Sequence, residues 1–399
     1  MLTTSDASLD GELQEELSAL ERAGLRRTLR PLHGRHGARI ADRERGYVDF
    51  SSNDYLGLAA DPRIAQAAIE ALRAAGTGAA AARLISGHHD LHEALEQAVA
   101  RFLETEAALL FPSGYMANVG ALPALAKRDD AVFSDALNHA SLIDACRLAR
   151  AETQVLPHGD VAALERAVEQ GRERYRRRWI VVEGIYSMDG DLAPLSEVAA
   201  LARRSGAWVY LDDAHGIGVL GANGRGAGER AGVASDISVL VGTLGKAFGV
   251  AGAFVAGSRA TVDFLANRAR AFVYTTGSPP ALAAAALAAL EIAQREPERR
   301  DRLRANAREL RAGLAALGWP ASGPEDGHIV PVVIGDREPT MRAAEALRTA
   351  GFLVGAIRPP TVPLGTARLR LTVSAAHSSA DIAELLKALA SSLPLPPHA

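Results

Sequence analysis

The stretch Asp236-Ile-Ser-Val-Leu-Val-Gly-Thr-Leu-Gly-Lys-Ala-Phe-Gly249 orders the reading of the whole chain. Residues 237–241 are a short apolar run, which predicts a buried strand. The run delivers a Gly-Thr-Leu-Gly turn, and on that turn stands Lys246 between small and apolar neighbours. A lysine held in such surroundings loses hydration, so its ammonium form is disfavoured and its pKa falls. The neutral amine is then a nucleophile able to form a Schiff base with a carbonyl group. Taken alone, the segment serves equally well as a loop whose lysine reaches water along its aliphatic stem.

Two better-known motifs overlap this region and fail at required positions. A P-loop needs G-x-x-x-x-G-K-[ST]. Here Leu240 stands where the first glycine should be, and Ala247 follows the lysine, so no hydroxyl would meet magnesium. Gly216-Ile-Gly-Val-Leu-Gly221 does satisfy G-x-G-x-x-G. A dinucleotide-binding fold requires a helix to open there. The chain instead continues Ala222-Asn-Gly-Arg-Gly-Ala-Gly228, which is hostile to a helix.

Outward from the lysine, two periodicities alternate. Helical patterns cover 62–75, 88–103, 114–126, 140–150, 160–172 and 195–205, with a start signal at Asp61-Pro62. Between and after them, apolar runs fall at 107–111, 131–134, 153–156, 179–183, 208–212, 237–241 and 252–256. This predicts an α/β fold with a central, mostly parallel seven-stranded sheet covered on both faces. Right-handed crossovers would bring the strand-to-helix loops to one edge, where ligands bind. Helices over 279–294 and 296–317 follow, then a strand at 329–334, a helix at 340–350, strands at 353–356 and 367–373, and a helix at 379–389. These last elements predict a smaller C-terminal α+β domain. At the other end a helix over 12–30, placed against another subunit or the domain edge, precedes a hairpin over 38–50. The expected division is an N-terminal segment 1–57, a large domain 58–294 and a small domain 295–399.

Composition narrows the function. The 399 residues are 48% hydrophobic and 23% charged with a net charge of -3, which is globular and carries no nucleic-acid footprint. The single cysteine, Cys146, excludes an internal disulfide and suits a reducing compartment. The N-terminus is polar and acidic, with no apolar signal region, and the longest apolar run, 279–289, is too short to span a bilayer. A cytoplasmic protein that binds neither membrane nor nucleic acid is expected. His88 and His92 lie a helical turn apart, but no ligand from a separate element joins them, so no metal is expected.

The polar residues worth weighing fall at the predicted strand ends. After 107–111 comes Pro112-Ser-Gly-Tyr115, where Ser113 can cap a helix and the amides of Gly114 and Tyr115 form an anion seat. An ordinary capped helix accounts for the same residues. His139 opens the helix after 131–134. Glu183 and Asp212 each end an apolar strand, where a carboxylate is partly desolvated and needs a cation. A protonated pyridine nitrogen would serve Asp212, and so would an arginine.

Together these motifs match a family. Ser51-Ser-Asn-Asp-Tyr-Leu-Gly-Leu58, Val182-Glu-Gly-Ile-Tyr-Ser-Met-Asp-Gly-Asp191, Asp212-Asp-Ala-His-Gly216 and Thr243-Leu-Gly-Lys246 resemble the α-oxoamine synthases. These are pyridoxal 5'-phosphate (PLP) dependent transferases of the aspartate aminotransferase-like fold. Ile357-Arg-Pro-Pro-Thr-Val-Pro-Leu-Gly-Thr-Ala-Arg-Leu-Arg-Leu-Thr372, with Ala375-Ala-His377, is similar to the branch that makes 8-amino-7-oxononanoate in biotin biosynthesis.

The resemblance implies a role for each matching residue. Lys246 would carry PLP through a Schiff base and act as the base, Asp212 would pair with the pyridine nitrogen, and His139 would lie on the ring face. Ser187 and His215 would address the ring hydroxyl, while Gly114, Tyr115 and Thr243 would hold the phosphate. Thr276, in Tyr274-Thr-Thr-Gly277, would reach the phosphate of a partner in a homodimer with shared active sites. Arg26 would meet the acyl substrate, Thr361 lies in the substrate segment, and Arg370 would take the amino-acid carboxylate, with Asn53 and Glu183 in support. The implied substrates are L-alanine and a pimeloyl thioester, carried on coenzyme A or an acyl carrier protein. A glycine-using sister synthase, a nicotinamide dehydrogenase and a catalytically dead relative are the alternatives. The first is opposed by Arg358-Pro-Pro-Thr-Val-Pro363, the last by the presence of Lys246 and Asp212. One departure stands out: Gly76-Thr-Gly-Ala-Ala-Ala-Ala-Arg83 has alanines where the family runs Gly-Ser-Gly-Gly-Ser, which narrows the backbone there.

Overall fold

In the computed structural model, residues 8–395 are described; the expectations for residues 1–7 and 396–399 lie outside it. The central sheet contains β1 (Ala107–Phe111), β2 (Ala131–Asp135), β3 (Glu152–Leu156), β4 (Arg178–Glu183), β5 (Trp208–Asp212), β6 (Ile237–Thr243) and β7 (Ala253–Gly257). Their order is β1-β7-β6-β5-β4-β2-β3. Every neighbouring pair from β6 through β3 is parallel. β7 runs antiparallel to both β6 and β1.

The reversal at β7 has a simple cause. A parallel return needs a crossover of about a dozen residues or more, usually with a helix. Only residues 244–252 join β6 to β7, so the chain must turn back. Lys246 stands on this reversal. The turn is pinned at Gly249, whose φ is +65° and where a Cβ would come within 2.3 Å of the Ala59 nitrogen. Only glycine allows the lysine loop to lie this close to the turn at 58–59.

Alternate residues of the strands feed two apolar layers, as the period of a strand dictates. Ile180, Val182 and Leu211 face one layer with Leu195, Val198 and Leu201. Trp179, Val181, Tyr210 and Val241 face the other with Ala117, Leu122, Leu142 and Cys146. All six residues of β4 are buried, as expected of a strand covered on both sides.

Two smaller sheets complete the chain. Strands Ile329–Gly335, Ala367–Thr372 and Gly355–Ile357 form an antiparallel sheet. Strands His33–His36, Arg39–Ala41 and Gly46–Asp49 form the N-terminal hairpin layer, which Phe352–Leu353 joins in parallel. The single strand expected at 353–356 is therefore divided between two sheets. The N-terminal helix is shorter than its pattern suggests: it covers Leu9–Arg22 and stops at Ala23-Gly24, where Gly24 has φ +63°. Residues 25–32 continue without helix, so Arg26 lies on an extended segment. Leu9, Leu13, Leu17 and Leu20 of this helix are exposed.

The glycines of 216–221 open no helix. A Cβ at Gly216 would come within 2.1 Å of Asp213 Oδ1, so this glycine makes room for a buried acid rather than for a pyrophosphate. In the alanine-substituted loop, Ala80 takes φ +58°, a left-handed conformation that costs a residue with a Cβ about 1–2 kcal/mol. Ala80→Gly should therefore stabilise the protein by about 0.5–1 kcal/mol once glycine's extra freedom in the unfolded chain is subtracted. A urea midpoint that rises at unchanged m-value checks this; an unchanged or lower midpoint contradicts it.

Candidate active site

The carboxyl edge of the central sheet gathers a connected polar cluster. β4 and β5 end in register, with Glu183 beside Asp212, and both are buried. Asp212 accepts hydrogen bonds from Asn118 Nδ2 at 2.6 Å and from the Ala214 amide at 3.0 Å. Asn118 is itself fixed by the Tyr210 hydroxyl, which donates to its Oδ1 at 3.0 Å. Glu183 accepts the His139 amide at 2.6 Å. Burial, and then the neighbouring Asp212, push the Glu183 carboxyl well above the usual range.

Lys246 Nζ lies 2.7 Å from His215 Nε2. Burial lowers the lysine to about 8, against the pull of Asp212 and Glu183. His215 is held well below its usual value by burial and then by Lys246, so its ring is neutral. Its Nδ1 lies 2.7 Å from the Tyr55 hydroxyl, which donates to Asn53 Oδ1 at 3.0 Å. That order assigns the proton to Nδ1 and leaves Nε2 to accept from the lysine. His139 caps the helix Ala140–Ala149 through Nδ1, which receives the Ser141 amide at 3.2 Å, and burial depresses its pKa too.

The expected helix start forms at Gly114. Ser113 Oγ accepts the Met116 amide at 3.2 Å at the start of the helix Gly114–Leu125. The Gly114 and Tyr115 amides have no partner among the described residues, and the space beside Gly114 is open within 4 Å. The Tyr115 hydroxyl turns away to donate to Asp144 at 2.6 Å. Asn118 follows one turn later on the same helix, so one element carries both the seat and the support of Asp212. Thr243 accepts the Gly245 amide at 3.1 Å and donates to the Gly252 carbonyl at 3.0 Å, bracing the lysine turn.

Arg370 is buried, and its Nε donates to the Ser187 carbonyl at 2.5 Å. Unlike Arg83 with Glu96 or Arg368 with Asp189, it has no ion pair among the described residues. A buried guanidinium without an acid is set to receive a carboxylate from a ligand. These donors fit PLP: helix-start amides for a phosphate, a buried acid for a ring nitrogen, and a near-neutral amine for an aldehyde.

Other expected residues lie apart. Arg26 pairs with Glu21, and Thr361 accepts from Arg27 at 3.4 Å. Their chain neighbours Leu25, Pro360 and Val362 line a groove of about 720 Å³, with Arg337, Pro359 and Leu364. No bond described joins that groove to Lys246. Thr276 is exposed and bridges Ala82; with Pro112 and Gly252 it lines a small cleft behind the anion seat. His89 and His92 form a capping box, and His92 Nε2 lies 2.8 Å from the Ser278 carbonyl, so both serve the helix they begin. Sequence reasoning assigned no roles to Asn118, Tyr210, Tyr55 and Ser141. For Asn118 a signal existed, because it lies one helical turn beyond the seat. Tyr55 and Tyr210 read as core aromatics, and only tertiary structure shows what their hydroxyls meet.

This architecture and this donor set define a class. Residues 45–389 match the family described as aminotransferase class I and II, and the chain belongs to that family. It is 50% identical over 383 residues, 96% of each chain, to the 8-amino-7-oxononanoate synthase of Anaeromyxobacter dehalogenans. It is 51% identical over 348 residues to that of Methylococcus capsulatus, covering 87% of this chain and 89% of the other. Within the aminotransferase class it therefore belongs with the 8-amino-7-oxononanoate synthases. Among solved structures, a serine palmitoyltransferase from S. paucimobilis with a bound PLP-myriocin aldimine superposes with a TM-score of 0.90 at 32% identity, over 97% of this chain and 98% of that one. An 8-amino-7-oxononanoate synthase from Francisella tularensis gives 0.74 at 27%, over 86% and 97%.

The lowered pKa of Lys246 has a direct readout. Below about 8 the side chain is an ammonium, and above it a free amine. In cofactor-free protein, labelling of Lys246 by an amine reagent should rise through pH about 8, followed by mass spectrometry. A rise centred at the ordinary lysine value, about 10.4, would contradict the burial argument.

Proposed function

We propose that this enzyme uses PLP to condense L-alanine with a pimeloyl thioester, releasing carbon dioxide and the free thiol and giving 8-amino-7-oxononanoate for biotin biosynthesis. The observation that carries this reading is the convergence of Lys246, Asp212 and an unpaired buried Arg370 at one sheet edge beside a vacant-amide helix start. Similarity along almost the whole chain to enzymes of that name supports it. Bound PLP would supply an electron sink for carbanion chemistry at the amino acid's Cα.

The chain's own residues supply the rest. Gly114 and Tyr115 hold the phosphate with their amides, and the helix dipole favours the negative charge. Asp212, which accepts hydrogen bonds from Asn118 and the Ala214 amide, would pair with the ring nitrogen. Glu183, its pKa raised by burial and by Asp212, stands beside it. His139 would offer its neutral ring to the cofactor's face, and Ser187 and His215 would address the ring hydroxyl. Arg370 fixes the alanine carboxylate. Lys246, close to neutrality, takes the Cα proton, and a base poised near the working pH is the effective one. Arg26, Thr361 and the adjoining groove take the acyl chain, with Asn53 in support. Exposed Tyr274 and Thr276 suit a homodimer in which each partner completes the other's phosphate site. The thiol carrier is coenzyme A or an acyl carrier protein, and the enzyme works in the cytoplasm.

Product analysis with L-alanine and pimeloyl-CoA tests the reading. 8-Amino-7-oxononanoate should form with alanine and no condensation product with glycine; protein that takes up no PLP would overturn it. Borohydride should fix the cofactor at Lys246. Lys246→Ala should lower turnover by about 10⁴-fold, the upper end of what one proton-transfer group contributes.

A further inference from the structure

His158 lies in the loop after β3 and touches none of the residues grouped around Lys246. Its ring is nevertheless held at both nitrogens. Nδ1 meets Asp135 Oδ1 at 2.9 Å and Oδ2 at 3.1 Å, and Nε2 meets Asp191 Oδ2 at 2.7 Å. An ionised carboxylate only accepts, so both ring nitrogens must donate, and only the imidazolium has two N–H groups. Burial by itself works against that charge, but the hydrogen bonds of Asp135 and Asp191 outweigh it and hold the pKa above the ordinary value. The remaining neighbour is Tyr186, whose ring meets the imidazole edge-on at 4.4 Å. Nearby Asp160 spends its carboxylate on capping the next helix, through the Ala163 amide at 2.8 Å.

The two acids belong to two different loops of the site. Asp135 ends β2 and shapes the path to His139: its Oδ1 accepts the Leu137 amide at 2.8 Å and its carbonyl the Asn138 amide at 3.2 Å. Asn138 is in turn tied to the Val181 carbonyl at 2.8 Å. Asp191 closes the turn that bears Ser187, its carbonyl accepting the Tyr186 amide at 3.0 Å. The Ser187 carbonyl is the anchor of Arg370.

We propose that His158 is a positioning residue: as an imidazolium between Asp135 and Asp191 it locks the loop that presents His139 to the loop that seats Arg370. Its consequence for alanine binding rests on the function proposed above; the double ionic tie does not. The pH dependence follows from the raised pKa. The clamp is complete below the ordinary histidine value and is lost as pH rises through the folded-state value, because a neutral ring has one N–H and one acid loses its donor.

Two measurements on the PLP-loaded enzyme test this. In histidine ring NMR of labelled protein, with the His158 signal assigned by its loss in His158→Gln, the ring should stay doubly protonated beyond pH about 6.5. Asp191→Asn should lower that titration. In kinetics, His158→Gln and Asp191→Asn should each raise the KM for L-alanine about tenfold, the size of one lost hydrogen bond to a charged group, with kcat changed less. The double variant should be no worse than either single one. The alkaline rise of KM in the native enzyme should flatten in His158→Gln. Titration at or below the ordinary value, or folded variants with native KM and pH profile, would overturn the proposal. If His158→Gln does not fold, Asp191→Asn, on a partly exposed residue, carries both measurements. If alanine proves not to be a substrate, the kinetic arm falls with the proposed function, and the ring titration alone decides the clamp.

Discussion

Glu183 and Asp212 end adjacent parallel strands in register, and the rest of the site follows from that pairing. Two carboxyls side by side and out of water cannot both be ionised without a cation. The structure separates their fates. Asp212 receives Asn118 and a backbone amide. Glu183 receives one amide and is otherwise desolvated, which favours its acid form. The pair is placed to draw a cation, and both acids offset part of the cost of burying Lys246.

This arrangement weakens the fold. In the unfolded chain Glu183 ionises and Lys246 is protonated at neutral pH; in the fold burial raises the pKa of the first and lowers that of the second to about 8. Both shifts disfavour the native state at pH 7, by the linkage between pKa and stability. Sites of function are where such local conflicts are expected, provided the surrounding structure tolerates them. Here the tolerance comes from β4 and β5, whose residues, Trp208 apart, lie buried between two apolar layers.

Much of this was legible in the sequence. The inner strands of the central sheet announced themselves as apolar runs, and the helices between them by their period, because burial on both faces leaves little room for polar residues; the edge strand β3, Glu152–Leu156, is mostly exposed. Lys246, Asp212, Glu183 and His139 were visible because polar groups at the ends of such runs have nowhere neutral to go. The reversal of β7 was legible in principle from the shortness of 244–252. What escaped was tertiary. Tyr55 and Tyr210 look like core aromatics until their hydroxyls are seen to meet His215 and Asn118. The strand expected at 353–356 divides because Phe352 and Leu353 find an N-terminal partner that no local pattern specifies. The N-terminal helix stops at Gly24 although leucines continue, since a left-handed residue ends a helix whatever the apolar period beyond it.

The lysine turn shows how rigidity and motion are divided. Its backbone is fixed three times over: Gly249 lies against Ala59, Thr243 bridges Gly245 and Gly252, and strands on both sides set its ends. The side chain is held only at its tip, by His215. An amine that must both bind a cofactor and later move a proton needs a fixed origin and a mobile end. Four methylenes on an immobile Cα provide that, and a neutral imidazole is the partner that can release the amine without leaving a charge behind. The Asn53–Tyr55–His215 chain keeps that imidazole in the accepting tautomer, so the N-terminal segment, remote in sequence, governs the lysine's state through one proton's position.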